Sequence, residues 1–175
     1  TRGSANRAQQ ARWGWRTWRV PVIAAVHGVA LGGGFQVALG ADIRIVHPET
    51  KMSILEVKWG LVPDMSSTAI MRRLVRDDVI RELTYTGRIF SGTEAKEMGF
   101  VTHLSETPYE DAMNLAQLIA EKSPSAVQTA KQLYNRIADG SDADALLAES
   151  ELQETLMGSK NQIEAVMAGL QKRAG

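Results

Sequence analysis

Pro21-Val22-Ile23-Ala24-Ala25-Val26-His27-Gly28-Val29-Ala30-Leu31-Gly32-Gly33-Gly34-Phe35-Gln36 is the stretch whose reading decides the fold. The unbroken apolar run behind Pro21 has no alternation, so it reads as a strand buried on both faces, and Gly28 ends it. Three consecutive glycines then lead into residues 35–39, which have helical character, with Gly40 suited to a stop. Ile43-Arg44-Ile45-Val46 alternates as a second strand would, closed by Pro48. Strand, glycine loop, helix and strand in that order are the signature of a layered α/β fold.

Working outward, residues 52–57 read as a strand or extended edge and residues 60–63 as a loop. Asp64 stands at an N-cap position before a helix over 66–75, and Asp77 or Asp78 can cap another that Gly87 stops. Ser91 and Glu94 have capping-box spacing for a short helix ending at Gly99, followed by a short strand over 100–104. Beyond Pro108 the pattern is helical alone, over 109–122, 125–138, 144–157 and 161–172. Ser123-Pro124, Gly140 and Gly158 punctuate it. The expected division is thus an α/β part, residues 1–107, and a helical part, residues 108–175. No sequence repeat stands out at a solenoid period.

At 175 residues and 44% hydrophobic content, the chain is long enough to bury a real core. Lys and Arg (20) balance Asp and Glu (20), so no net basic field favours nucleic acid or an anionic membrane. The interleaved Arg12, Trp13, Trp15, Arg16, Trp18 and Arg19 could stack on bases, but with that balance packing is the preferred reading. The absence of cysteine excludes disulfides, thiolate catalysis and cysteine-ligated zinc. His27, His47 and His103 are too far apart for a local metal motif. No apolar stretch reaches membrane-spanning length, and residues 1–10 lack the apolar core of a signal peptide, so a cytoplasmic protein is expected.

Gly28 to Gly33 fits the first half of a phosphate loop, but Gly34-Phe35 stands where Lys and Ser or Thr are required. The dinucleotide pattern G-x-G-x-x-G is also missing. What the glycines offer is backbone N–H groups at the start of a helix, open to an oxygen that carries developing negative charge. Equally, they could serve only a tight turn and close helix–sheet packing. Spacing alone leaves both readings open.

The stretch from Pro21 to Gln36, together with Ala41-Asp42-Ile43-Arg44, resembles the central motif of the crotonase family, the enoyl-CoA hydratases and isomerases. The similarity continues through Glu56-Val57-Lys58-Trp59-Gly60-Leu61-Val62-Pro63-Asp64 and Leu83-Thr84-Tyr85-Thr86-Gly87-Arg88. It runs on through Ser91-Gly92-Thr93-Glu94-Ala95 and Gly99-Phe100-Val101 to Lys172-Arg173. The resemblance implies an α/β spiral of ββα units followed by an all-helical C-terminal trimerisation region. It implies acyl-CoA thioesters as substrates and a homotrimer or a dimer of trimers, with no nucleic-acid or membrane partner. It also implies further ββα units ahead of the strand at Val20, which would hold part of the CoA site and the other N–H of an oxyanion hole. One such donor is worth about 3 kcal/mol of transition-state stabilisation.

By the same resemblance, Gly33 donates its N–H to the thioester oxygen, with Gly32 and Gly34 beside it in the substrate pocket. The two carboxylate positions of a hydratase fall on Gln36 and Glu56. An amide cannot act as a general base, so Gln36 is expected to line the pocket and Glu56 to be the main proton shuttle. Asp64 matches a carboxylate of the dienoyl-CoA isomerase branch and becomes a second acid–base group. Lys172 and Arg173 align with a basic pair that approaches CoA phosphates, from a neighbouring subunit in many cases. No metal and no cofactor is expected beyond the coenzyme A of the substrate. Isomerisation, which a single shuttling carboxylate can perform, is preferred. The alternatives are hydration of a 2-enoyl-CoA, with Gln36 positioning water, and a non-catalytic acyl-CoA-binding or scaffold protein.

Overall fold

Parallel pairing between strands about twenty residues apart organises the first part of the chain. In this computed structural model, which describes residues 7–173 and leaves undescribed the side chains of residues 7, 8, 11 and 12, two compact units are distinguished. One holds Val22–Met113 together with helix α1 (Arg7–Thr17); the other holds Trp18–Pro21 and the chain from Asn114 onward.

The first unit winds as a spiral. β1 (Ile23–Val26) and β2 (Val29–Leu31) follow each other around the Gly28 turn, α2 (Gly33–Leu39) crosses back, and β3 (Ile43–Val46) and β4 (Lys51–Ser53) repeat the course. β1 stacks on β3 in parallel with Ile23 opposite Ile43, and β2 stacks on β4 with Val29 opposite Lys51. Each turn of chain therefore adds one strand to each of two sheets. β2 was not foreseen, because three residues between two glycines carry no periodic signal. β1 was expected to be buried on both faces, yet its four residues are only half-buried, and among the described residues it pairs on one side alone.

β5 (His103–Leu104) joins β3 through Ile45–His103 and Val46–Leu104, and is shorter than the expected 100–104. Phe100 and Val101 are buried ahead of it. Phe100 meets Phe35 edge to face at 5.2 Å and Phe90 stacked at 6.0 Å, and Phe35 meets Phe90 at 5.6 Å. This aromatic trio, with Leu39, Met52, Ile54, Ile70, Met71 and Leu83, fills the core beneath α2. Trp13 of the Arg/Trp stretch packs against the same core; the Arg12 side chain lies outside the described residues.

Arg44, in the middle of β3, is buried, and donates from Nε to the Phe100 carbonyl and from Nη1 to the Ala41 carbonyl, both at 2.6 Å. Burial, and after it repulsion from Arg16, pushes the guanidinium down to about 10, with Asp42 opposing. It stays charged at neutral pH and ties β3 to the chain leaving α5 (Gly92–Met98).

Three helices lie between β4 and β5. α3 (Ser67–Met71) is shorter than the expected 66–75 because Arg73 and Leu74 revert to tighter bonds, to Ile70 and Met71 three residues back. In α4 (Asp77–Thr86) the N-cap is Arg76, not Asp77 or Asp78, and the two aspartates fill the first turn, where they suit the helix dipole. α5 begins with the complete Ser91–Glu94 capping box.

The second unit contains helices only. α6 (Pro108–Ala120) enters it, and α7 (Pro124–Arg136), α8 (Asp142–Leu156) and α9 (Lys160–Gln171) follow, with Ser123, Ser141 and Ser159 as caps. Asn161 donates to Ser125 Oγ at 2.7 Å, and the buried Lys131 ammonium donates to the Val20 carbonyl at 2.8 Å. Ile163, Val166, Met167 and Leu170 form an exposed apolar stripe at helical spacing along α9. Among the described residues no helix is long and apolar enough to cross a membrane, and no group of three or more acidic or histidine side chains is placed to hold a metal ion.

Candidate active site

The glycine turn is built by its neighbours in the spiral. Gly32, with φ 49°, is the N-cap of α2 and supplies no side-chain cap. Its own N–H is bonded to the Ser53 carbonyl of β4 at 2.9 Å, which fixes the turn to the next rung of the ladder. The N–H groups of Gly33 and Gly34 reach no acceptor among the described residues. Gly34 is exposed, and a methyl group placed on it would meet nothing within 4 Å. On Gly33 it would meet only the Met65 sulfur, at 3.4 Å. Of the two readings left open by the sequence, close packing accounts for neither of these glycines.

Glu56 was expected on an extended segment, and the structure corrects this. After Ser53 the chain leaves strand geometry, Leu55 turns to φ −94° and ψ −5°, and Glu56–Trp59 forms a single 3-10 turn. Gly60, at φ 68°, closes the turn with its N–H on the Val57 carbonyl, and Leu61 N–H returns to the Glu56 carbonyl. Glu56 at the head of this turn is only 9% exposed. Its Oε1 accepts a hydrogen bond from Gln36 Nε2 at 2.5 Å and lies 3.3 Å from where a Cβ on Gly32 would stand. Its Oε2 is buried and has no hydrogen-bond partner among the described residues.

Gln36, 1% exposed, comes from the first turn of α2. Its Oε1 accepts from the Met65 N–H at 2.9 Å and from the Ser67 hydroxyl at 2.7 Å. A backbone N–H can only donate, so the amide oxygen must face Met65 and the amide nitrogen must face Glu56. One oxygen of the carboxylate is therefore occupied by a group that can give a proton-bearing contact but cannot take a proton. The other oxygen is buried without a hydrogen-bond partner among the described residues.

Not all the expected residues converge. Gly32, Gln36 and Glu56 form one contact set, with Gly33 next in the turn. The Asp64 carboxylate is exposed and has no side-chain bond among the described residues. Nor is it the N-cap of α3: that position belongs to Ser66, which sits in the left-handed region at φ 70°. Lys172 and Arg173 belong to the helical unit. There Lys172 is the left-handed C-cap of α9, and Arg173 pairs with Glu164, which raises the guanidinium above its ordinary value and lowers the carboxylate. The sequence reading missed Ser67 and the Met65 N–H. Ser66-Ser67-Thr68 looks like an ordinary helix start, and no spacing rule connects it to Gln36 about thirty residues earlier.

A spiral of stacked ββα turns, a glycine turn with free N–H groups and a buried half-occupied carboxylate define a class of protein. The chain belongs to the enoyl-CoA hydratase/isomerase family, whose sequence model matches residues 6–174. It is 31% identical over 160 residues to the mitochondrial methylglutaconyl-CoA hydratase of Homo sapiens, covering 88% of this chain and 47% of that protein. It is 32% identical over 159 residues to the human mitochondrial enoyl-CoA hydratase domain-containing protein 2, covering 87% of this chain and 54% of the relative. The crystal structure of an enoyl-CoA hydratase from Bacillus anthracis matches with a TM-score of 0.91 at 30% identity, over 95% of this chain and 66% of that one. The chain thus spans about half the length of the curated relatives it matches, and its architecture is the crotonase-like α/β spiral with a helical C-terminal part.

Proposed function

We propose that this chain carries the acid–base half of an acyl-CoA active site and that the reaction is the shift of a carbon–carbon double bond in an unsaturated thioester. The observation that carries this reading is the state of Glu56: one oxygen held by an amide and set against the glycine turn, the other buried and unpartnered among the described residues. In the proposed step, Glu56 Oε2 takes a proton from the carbon skeleton, and the electron pair of that C–H bond moves into the conjugated system. The thioester oxygen becomes an enolate oxygen, which the Gly33 N–H stabilises by hydrogen bonding. Glu56 then delivers a proton at the other end of the system, and while the carboxyl holds that proton it can exchange with solvent. No atom is gained or lost and nothing is oxidised, so the step calls for no cofactor beyond the coenzyme A of the substrate.

Gly32 and Gly34 flank the thioester in this reading, and Gln36 lines the pocket. Asp64, one residue before the N–H that bonds Gln36, is the second acid–base group. Lys172 and Arg173 meet the CoA phosphates of a neighbouring subunit. A homotrimer or a dimer of trimers is supported by the exposed stripe Ile163, Val166, Met167 and Leu170, an apolar face of the kind that copies of a chain cover in one another. A cytoplasmic setting belongs to the same proposal, although the human relatives are mitochondrial.

Hydration is the second reading, favoured by the names of the similar proteins, which are hydratases. It needs water activated on one carbon and a proton delivered to the next, and a site whose second carboxylate position is an amide is less suited to both. The two are separated by incubating the protein with a 2-enoyl-CoA and with a 3-enoyl-CoA in deuterated water. An isomerase interconverts them with exchange at the α or γ carbon; a hydratase accumulates the 3-hydroxy product. A chain that does neither is the binding or scaffold protein. Glu56→Gln is expected to lower the exchange rate by about a hundredfold or more while acyl-CoA binding is retained. Unchanged exchange in that variant would remove Glu56 from the chemistry.

A further inference from the structure

Glu56 is oriented by a residue that does not itself touch it. The Gln36 amide has two possible faces, and which one meets the carboxylate decides whether Oε1 is bonded or repelled. Reversing the amide would set its oxygen against the Glu56 carboxylate and its NH2 group against the Met65 N–H, two unfavourable contacts in a buried site. The observed face is secured by two donors on one oxygen, the Met65 N–H at 2.9 Å and the Ser67 hydroxyl at 2.7 Å. Ser67 has no exposed surface, so water does not substitute for its hydroxyl.

The chain accepts backbone strain to bring these donors together. Between Met65 and Ser67 it reverses through Ser66 in the left-handed region, at φ 70°, a conformation that residues other than glycine seldom adopt. Ser66 is held there partly by its own hydroxyl, which donates to the Gln9 carbonyl of α1 at 3.2 Å. The reversal turns a backbone N–H and a side-chain hydroxyl two residues apart onto the same amide oxygen.

We propose that Ser67 is a positioning residue that fixes the donor face of the Gln36 amide toward Glu56, so that Oε2 alone is free to carry the proton. The proposal rests on the reading of Glu56 as the proton carrier, but its geometry can be tested without that reading. Ser67→Ala removes the hydroxyl, and Ser67→Cys keeps nearly the same bulk with a poor donor. A role in packing would leave the cysteine variant close to the wild type, whereas a role as donor makes both variants alike.

The direct readout is the Gln36 side-chain amide resonance in 15N-labelled protein, assigned by its loss in Gln36→Met. In the wild type one amide proton sits in the short bond to Glu56 and should lie downfield and exchange slowly. In Ser67→Ala and Ser67→Cys it is expected to move upfield and broaden as the amide samples its other face. The second readout is turnover of the enoyl-CoA substrate. Both variants should lower kcat by about five- to tenfold with KM little changed, the effect of one lost buried hydrogen bond. Combining Ser67→Ala with Gln36→Met should add nothing further, because the hydroxyl acts through the amide.

Amide signals in the two serine variants that coincide with those of the wild type would overturn the proposal, whatever the activity. A cysteine variant that behaves as wild type in both readouts would overturn it too. Altered amide signals with unaltered proton exchange would support the positioning role and defeat the reading of Glu56 as proton carrier.

Discussion

α2 and α5 are both seven-residue helices that begin in glycine, yet they begin in opposite ways. At α5 the cap is reciprocal: Ser91 Oγ accepts from Glu94 N–H at 3.1 Å, and Glu94 Oε2 accepts from Ser91 N–H at 2.8 Å. Gly92 is there for space, since a methyl group on it would stand 2.2 Å from the His47 carbonyl oxygen. At α2 the cap position is a glycine without a side chain, two N–H groups point at no acceptor among the described residues, and Gly34 faces open space. A helix start that serves stability is capped and packed. One that is left uncapped and uncovered is available to something other than the fold.

The contrast can be broken at three places. Gly92→Ala should be the most damaging, because the obstructing atoms are backbone: a loss of about 3 kcal/mol or more is expected as a lower urea midpoint. Ser91→Ala removes the cap alone and should cost about 1 kcal/mol. The strength of the capping box should also depend on pH, through Glu94. The Ser91 N–H, followed by Arg88, holds the Glu94 carboxyl below its ordinary value of 4.5. A lowered folded value means that the stabilisation is fully present above that range and fades as the pH falls through the folded value. A Glu94→Gln variant, which cannot ionise, should therefore lose less stability on acidification than the wild type, measured by urea titration at neutral and acid pH. Gly34→Ala should have the smallest effect on folding and the opposite sign, a gain of about 0.5–1 kcal/mol from helix propensity. If the turn receives a thioester, the same variant should bind acyl-CoA more weakly in calorimetry. Unimpaired binding there would mean that the uncapped start of α2 faces no ligand.

These two helix starts also mark how far a sequence can be read. The capping box at Ser91 and Glu94 was legible because its signal is local, four residues long and tied to one geometry. The glycine run was legible as a turn but not as a choice between packing and reception, since that depends on which atoms lie across from each Cβ. Glu56 was legible as a carboxylate of interest only through family resemblance. Its residues 52–57 carry strand-like apolar character, while the 3-10 turn that buries the carboxylate depends on Gly60 and on core packing around Ile54. The four helices after Pro108 emerged within a few residues of their expected limits because each has its own caps and breakers. β2 and the reversal at Ser66 could not be seen, since both exist through partners remote in sequence: β4 for the strand, Gln9 for the serine. The spiral itself escaped as a repeat because its two rungs are offset differently, Ile23 against Ile43 but Val29 against Lys51.

The pairing of Gln36 with Glu56 shares the twenty-residue offset that joins Ile23 to Ile43. Neighbouring rungs of a sheet are about 4.8 Å apart, so side chains issuing from equivalent points on adjacent turns are brought within touching distance by the winding itself. Such a scaffold sets the spacing of its reactive groups by counting residues, much as a thread sets the advance of a screw. Two ionised carboxylates on those rungs would repel across a gap that the winding does not allow to widen. An amide on one of them relieves that conflict and leaves a single basic oxygen, so the frame can change its chemistry by exchanging one atom in position 36 without being rewound.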